Sequence, residues 1–391
     1  MSTGLRISAG LVLLVLGSVG CGAQFDPGSQ LDGLRVLAVQ KSAPYAKPGS
    51  QVDFQLLWYD SDARPPPQIA WLASCENPPG DLFTGCLGKI GAALGSAAPG
   101  VPAASGGSAP DGGSFEALPA GRVSLPDATA TTANDRFSFV TSPDIISSRP
   151  APKDPSVTPY GIDYVLFAAC AGTLGLSTDP SSPLICYVEQ DGQPGFSAGD
   201  LQLGSRDFVV GYSEVFAYDV LRNQNPSFSA LEFNGRQFEP GAAPRSTDDG
   251  RLLDEPALGP DDLCVADACT PADPAADPSV CPDVLALPAC GDSCDTMKFG
   301  PVLDPANAEV DEATSKGRTN VLREQMWVNY YSSGGKMSDE VRLLNDATLG
   351  WNSDSATKYR PPKDPGVAYL WAIAHDNRGG VGWARLRVCA R

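Results

Sequence analysis

The sequence predicts an all-β chain built of two sandwich modules, each interrupted by a long loop insertion. Three observations lead there. The chain holds 41 Gly and 36 Pro among 391 residues, a mix that favours short strands joined by turns over long helices. Its apolar residues recur mostly with period two. A proline-rich phrase is also written twice, RPAPKDP at 149–155 and RPPKDP at 360–365.

Proline cannot join a central ladder, so each phrase must lie just outside a sheet and lead into a strand. The first leads to IDYVLFAACAG, where Ile162, Tyr164, Leu166, Ala168 and Cys170 share a face; the second leads to VAYLWAIAHDNRGG, where Val367, Tyr369, Trp371, Ile373 and His375 do. Two further pairs follow the same order. VDFQLLWYDSD (52–62) reads like EQMWVNYYSSGG (324–335), and LRVLAVQKSAPYAKPG (34–49) like FSALEFNGRQFEPG (228–241). Because FVVGYSEVFAYDV reads as a last strand, the boundary is expected in NQNPSF (223–228), with modules at 34–222 and 227–391, each holding its own core. The first insertion, 91–113, is rich in Gly, Ala, Ser and Pro and too poor in large apolar groups to offset its ordering entropy. The second, about 240–316, is acidic and holds five cysteines, so crosslinks are expected to order it.

The paired modules resemble the tandem immunoglobulin-like or PKD-like β-sandwiches of bacterial envelope proteins. A tyrosine early in a late strand, Tyr164 or Tyr369, is similar to the tyrosine corner of such sandwiches. The resemblance covers about half of the mature chain, in patches, and does not include the disulfide and tryptophan spacing of antibody domains.

At the amino end, fourteen uncharged residues after Arg6, ISAGLVLLVLGSVG, form the apolar region of a secretory signal over 1–20, too short to span a bilayer comfortably. The residue straight after the cut is a cysteine, and SVGC resembles a bacterial lipobox, with Ser18 where leucine is usual. This implies lipidation of Cys21, a tether over 21–33, and membrane attachment through acyl chains; ordinary cleavage and secretion is the alternative. The expected location is the cell envelope, as an outer-membrane lipoprotein. With 46 acidic against 28 basic residues and a formal charge of −18, the surface repels nucleic acid.

Ten cysteines remain after Cys21, an even number suited to disulfides in an oxidising compartment. Cys75 with Cys86 and Cys170 with Cys186 enclose short excursions and read as local pairs. Cys264, Cys269, Cys281, Cys290 and Cys294 lack the paired CxxC of a zinc ribbon, so bridges are expected there too. Cys389, on the last strand, has no sequence-local partner, which points to a bridge from the acidic insertion, through Cys281 or Cys264.

The single histidine, His375, precludes histidine-rich metal sites and two-histidine acid–base pairs, and Asp376 beside it points to the opposite strand face. DNRGG after it suits a hairpin. Ser333 and Lys336 form an S-x-x-K in a glycine-rich turn, GYSEV lacks the second glycine of a nucleophile elbow, and no phosphate-binding loop occurs. Carboxylate pairs such as Asp60 with Asp62 and Asp248 with Asp249 read as solvated surface. Trp327, Trp351, Trp371 and Trp383 read as sandwich packing, with Trp371 buried and Trp351 placed in a polar turn. The expectation is a protein with no catalytic residues, no metal and no cofactor, serving in structure, adhesion or the binding of a protein or glycan ligand. A surface hydrolase or carbohydrate-active accessory protein is the alternative.

Overall fold

The computed structural model describes residues 28–62, 64–86, 122–126, 134–177, 183–189, 200–238, 263–265, 268–270, 285–290, 294–315 and 320–390. The signal segment, Cys21, Cys281 and the loop 91–113 lie outside them. The strands in chain order are β1 Leu34–Lys41, β2 Tyr45–Ala46, β3 Gln51–Asp60, β4 Gln68–Glu76, β5 Val123–Ser124, β6 Arg136–Val140, β7 Gly161–Cys170, β8 Thr173–Leu176, β9 Leu184–Val188, β10 Leu201–Gln202 and β11 Phe208–Ala217. There follow β12 Phe228–Phe233, β13 Arg236–Phe238, β14 Leu263–Val265, β15 Ala268–Thr270, β16 Ala286–Leu287, β17 Met297–Leu303, β18 Met326–Ser332, β19 Lys336–Met337, β20 Val341–Asp346, β21 Gly350–Trp351, β22 Thr357–Arg360, β23 Gly366–Asp376 and β24 Val381–Ala390.

Two sandwiches result. In the first, sheet β1-β3-β6 faces sheet β2-β11-β7-β4-β5 across a core that includes Phe54, Trp71, Phe137 and Phe167. In the second, β13-β12-β17-β22-β19 faces β16-β24-β23-β18-β20-β21 across Phe233, Phe299, Tyr330 and Tyr359. Each sandwich closes one edge the same way, with a two-residue strand running parallel to its last long strand: β2 on β11, and β16 on β24. The paired orders make β1 the counterpart of β12, β2 of β16, β3 of β17, β4 of β18, β6 of β22, β7 of β23 and β11 of β24.

This alignment places the repeated phrases at equivalent corners, before β7 and before β23, and matches the two opening strands. It corrects the third pair. The segment 52–62 lies in β3 and 324–335 in β18, which occupy different sheets; β18 answers to β4, since each pairs with the central strand of its sandwich. Both segments are aromatic alternating strands, and a period of two does not record which sheet a strand joins.

Two expected boundaries also move. Within the supposed insertion at 240–316, Met297–Leu303 is a core strand, with Phe299 fully buried. Within the supposed tether at 21–33, Ser29 and Leu31 are buried: Leu31 N–H donates to the Ser332 carbonyl, and Ser332 N–H donates to the Ser29 carbonyl.

The central strands are covered on both faces, which is why they read as almost continuous apolar runs. Val165, Phe167 and Ala169 of β7 face the inter-sheet core. Ile162 and Tyr164 face outward, onto a segment stapled by the Cys75–Cys86 disulfide. In β23, Ala368, Leu370, Ala372 and Ala374 face the core, while Trp371 and Ile373 face outward with Trp383 of β24. Their cover is the first sandwich itself, through Leu37 and Ala38 of β1 and Leu57 and Tyr59 of β3, with Leu31 completing the seam. The Tyr59 and Trp371 rings meet edge to face at 5.1 Å. Each sandwich therefore has its own core, and a further apolar cluster belongs to both. Trp351 is half-buried against the second core.

Because Trp371 is 2% exposed and fills the seam, Trp371→Ala is expected to cost about 3–5 kcal/mol, read as a lower urea midpoint. A loss below about 1 kcal/mol would show that the seam adds nothing to stability.

Candidate functional site

At one end of the seam, ionisable groups from both sandwiches converge. The β23–β24 hairpin, Asp376–Gly380, organises them. Asp376 is 3% exposed, and its Oδ1 accepts the N–H of Arg378 at 2.7 Å and of Gly380 at 2.8 Å, folding the turn on its own side chain. Gly379 takes φ +87°, open to glycine at little cost. Gly382 lies so close to the connecting segment that an added Cβ would fall 2.0 Å from the Pro226 carbonyl oxygen.

The turn aims Arg378 into the junction, 7% exposed. Its Nε donates to Glu324 Oε1, and its Nη2 donates to Asn223 Oδ1 at 2.9 Å and to Glu309 Oε2 at 3.0 Å. The guanidinium also sits 5.4 Å from the Tyr45 ring centroid. Asn223 Nδ2 donates in turn to Asp376. Burial and the neighbouring Asp376 charge push the fully buried Glu324 carboxyl up to about 7, against the pull of Arg378.

The connecting segment ties this group to the first sandwich. Asn225 Nδ2 donates to the Lys41 carbonyl at 2.6 Å, and Asn225 Oδ1 accepts from Val381 N–H at 3.0 Å. Gln40 Nε2 donates to the Val381 carbonyl at 2.9 Å. Lys41 is 3% exposed, and its Nζ donates to the Glu214 carbonyl at 2.6 Å. Burial lowers the Lys41 amine to about 8, with Asp376 and Glu214 pulling it back up. A cleft of about 400 Å³ opens beside Lys41, between β1, β11 and the hairpin.

The sequence-predicted residues fall elsewhere. Disulfides join Cys75 to Cys86, Cys170 to Cys186 and Cys290 to Cys294. Cys389 is disulfide-bonded. Cys264 and Cys269 are register partners across β14 and β15. Among the described residues no three His, Cys, Asp or Glu side chains are grouped to hold a metal. His375 stacks on Trp327, centroids 5.4 Å apart, and burial pulls it down to about 4, so it is neutral at pH 7. Ser333 Oγ accepts from Tyr369 N–H, and the following Gly335 takes φ +81° in the turn to β19.

No known protein family and no curated protein matches this sequence. Among solved structures, the chain is similar to native E. coli alpha-2-macroglobulin, at a TM-score of 0.20 and 10% identity over 93% of this chain and 16% of that one. It is similar also to Salmonella alpha-2-macroglobulin, as a Y1175G mutant and as the methylamine-reacted protein, each at a TM-score of 0.18 and 10% identity over 94% of this chain and 17% of the other. The chain thus spans about a sixth of these proteins, and at such TM-scores the fold rests on its own strand pairing.

Two outcomes are expected from this geometry. Arg378→Met leaves Glu324 and Glu309 without their cation and should cost about 3–5 kcal/mol, with part regained in Arg378→Met/Glu324→Gln; chemical denaturation of both variants reads it. His375 binds fewer protons folded than unfolded between about 4 and 6.5, so stability falls as pH drops through that window, by up to about 3 kcal/mol from this group. Thermal melts over that range should lose stability more steeply with falling pH in wild type than in His375→Gln; equal slopes would contradict the assignment.

Proposed function

We propose that the protein is a non-catalytic lipoprotein of the cell envelope, held to a membrane through Cys21 and acting as a rigid structural, adhesive or partner-binding unit. The observation that carries this reading is the junction. Asn225 and Gln40 hydrogen-bond to backbone across the joint, and the buried Arg378 lies against Tyr45 of the first sandwich, so the pair presents its surfaces at a set geometry. Three disulfides between described residues, and a further bonded cysteine, Cys389, suit an oxidising compartment outside the cytoplasm. No helix among the described residues is long and apolar enough to cross a membrane, and attachment rests on the acyl chains.

Docking of Ser29 and Leu31 shortens the leash. The seven Cα–Cα steps from Cys21 to Gly28 reach at most about 25 Å, which holds the β18 end of the molecule near the bilayer.

Cys21→Ser is expected to move the protein from washed membranes to the soluble fraction with its fold intact, read by fractionation and by near-UV circular dichroism. Retention in membranes at the wild-type level would refute lipid anchoring.

A further inference from the structure

The first sandwich is closed where β2 pairs with β11 and open just before that point. β1 and β11 run in the same direction and meet twice. Leu34 N–H donates to the Arg206 carbonyl at 2.9 Å, and Lys41 Nζ to the Glu214 carbonyl at 2.6 Å. Between these contacts β1 pairs with β3 and β11 pairs with β7, so the two edges part and the cleft lies between them.

The register of β11 fixes which backbone groups face this opening. Phe208 N–H turns away from β7 to the Gly204 carbonyl, and the Glu214 carbonyl turns away to Lys41. In an antiparallel ladder, alternate residues share that direction. Val210 and Tyr212 therefore present N–H and C=O to the edge, and β2 pairs only with Phe216 and Ala217 beyond them. Their side chains are 60% and 48% exposed. This is a strand edge of the kind to which an extended chain adds.

Lys41 stands at the end of that edge. Although buried, its amine has, among the described residues, one hydrogen-bond acceptor and no carboxylate within 4 Å, the Asp376 and Glu214 charges acting on it from further away. An ammonium has three donors, and leaving two unused in a desolvated position is costly. The side chain lines the cleft, whose walls beside it are Val36, Val39, Phe167 and Phe216. Free donors of positive charge, an apolar wall and an open backbone edge occur together, in the order in which the end of a polypeptide would meet them.

We propose that this cleft is a docking groove for the carboxy-terminal end of an extended polypeptide, which adds to β11 along Val210–Tyr212, rests its last side chain on Val36, Val39 and Phe216, and pairs its α-carboxylate with Lys41. A free organic acid would satisfy Lys41 and leave the edge unused; the backbone edge is what favours a peptide. The groove gives the partner-binding role a ligand class and does not depend on lipidation, so each idea can fail without the other.

The test is affinity selection on the purified full-length protein with N-acetylated hexapeptides randomised over their last four positions, prepared as free acids and as amides. Acids are expected to be enriched about tenfold or more over amides, the scale of one charge-assisted contact. Lys41→Met, checked for a dispersed amide spectrum, should lose the preference. Val210→Pro deletes an N–H that the sheet does not use, and should weaken acid binding by a similar factor while leaving the fold intact. Equal retention of acids and amides, no retention of either, full binding by Val210→Pro, or displacement by acetyl-valine as effective as by the hexapeptides would each overturn the proposal.

Discussion

A central strand that is apolar on both faces must be covered on both, and this requirement shapes the molecule. β7 meets it inside its own sandwich, where Ile162 and Tyr164 lie under a segment pinned by Cys75–Cys86. β23 has no such cover of its own. Trp371, Ile373 and Trp383 are buried only because β1 and β3 of the first sandwich lie across them. The two modules are therefore alike in strand order and unlike in self-sufficiency.

Apolar contact alone would leave the two sandwiches free to slide, since such contact has little directional preference. The charged group at the end of the seam supplies direction. Arg378 reaches Glu324 and Glu309 of the second sandwich and Asn223 of the connection, while Asn225 and Gln40 bind backbone across the joint. Buried ion pairs add little net stability over apolar side chains of the same size, yet breaking one is costly. The Arg378 pairs fix the hairpin within the second sandwich, and the Asn225 and Gln40 bonds across the joint give the contact its direction. The same geometry leaves Lys41 facing an opening, because a lysine that reaches across to the Glu214 carbonyl holds β1 and β11 together at that point and apart before it.

Much of the architecture was legible in the residues. Proline phrases mark equivalent corners because proline is excluded from a ladder wherever it occurs, and Cys75–Cys86 and Cys170–Cys186 are near neighbours in sequence, so proximity suggested their pairing. The strand β17, MKFGPVL, was hidden by its glycine and proline and by the cysteine-rich run before it. β3 and β18 were confused because alternation reports a face and not a neighbour. The junction was illegible for a related reason: Gln40 binds Val381, 341 positions away, and no local pattern in QK or NRGG carries that distance. A lysine closing the apolar strand LRVLAVQK was the one available signal, and it reads equally as a strand end.

Joined by the seam and the junction, the two sandwiches form one cooperative body. Differential scanning calorimetry of the disulfide-intact protein should then show a single transition in which calorimetric and van't Hoff enthalpies agree. Two separable transitions, each with the enthalpy of about half the chain, would contradict it.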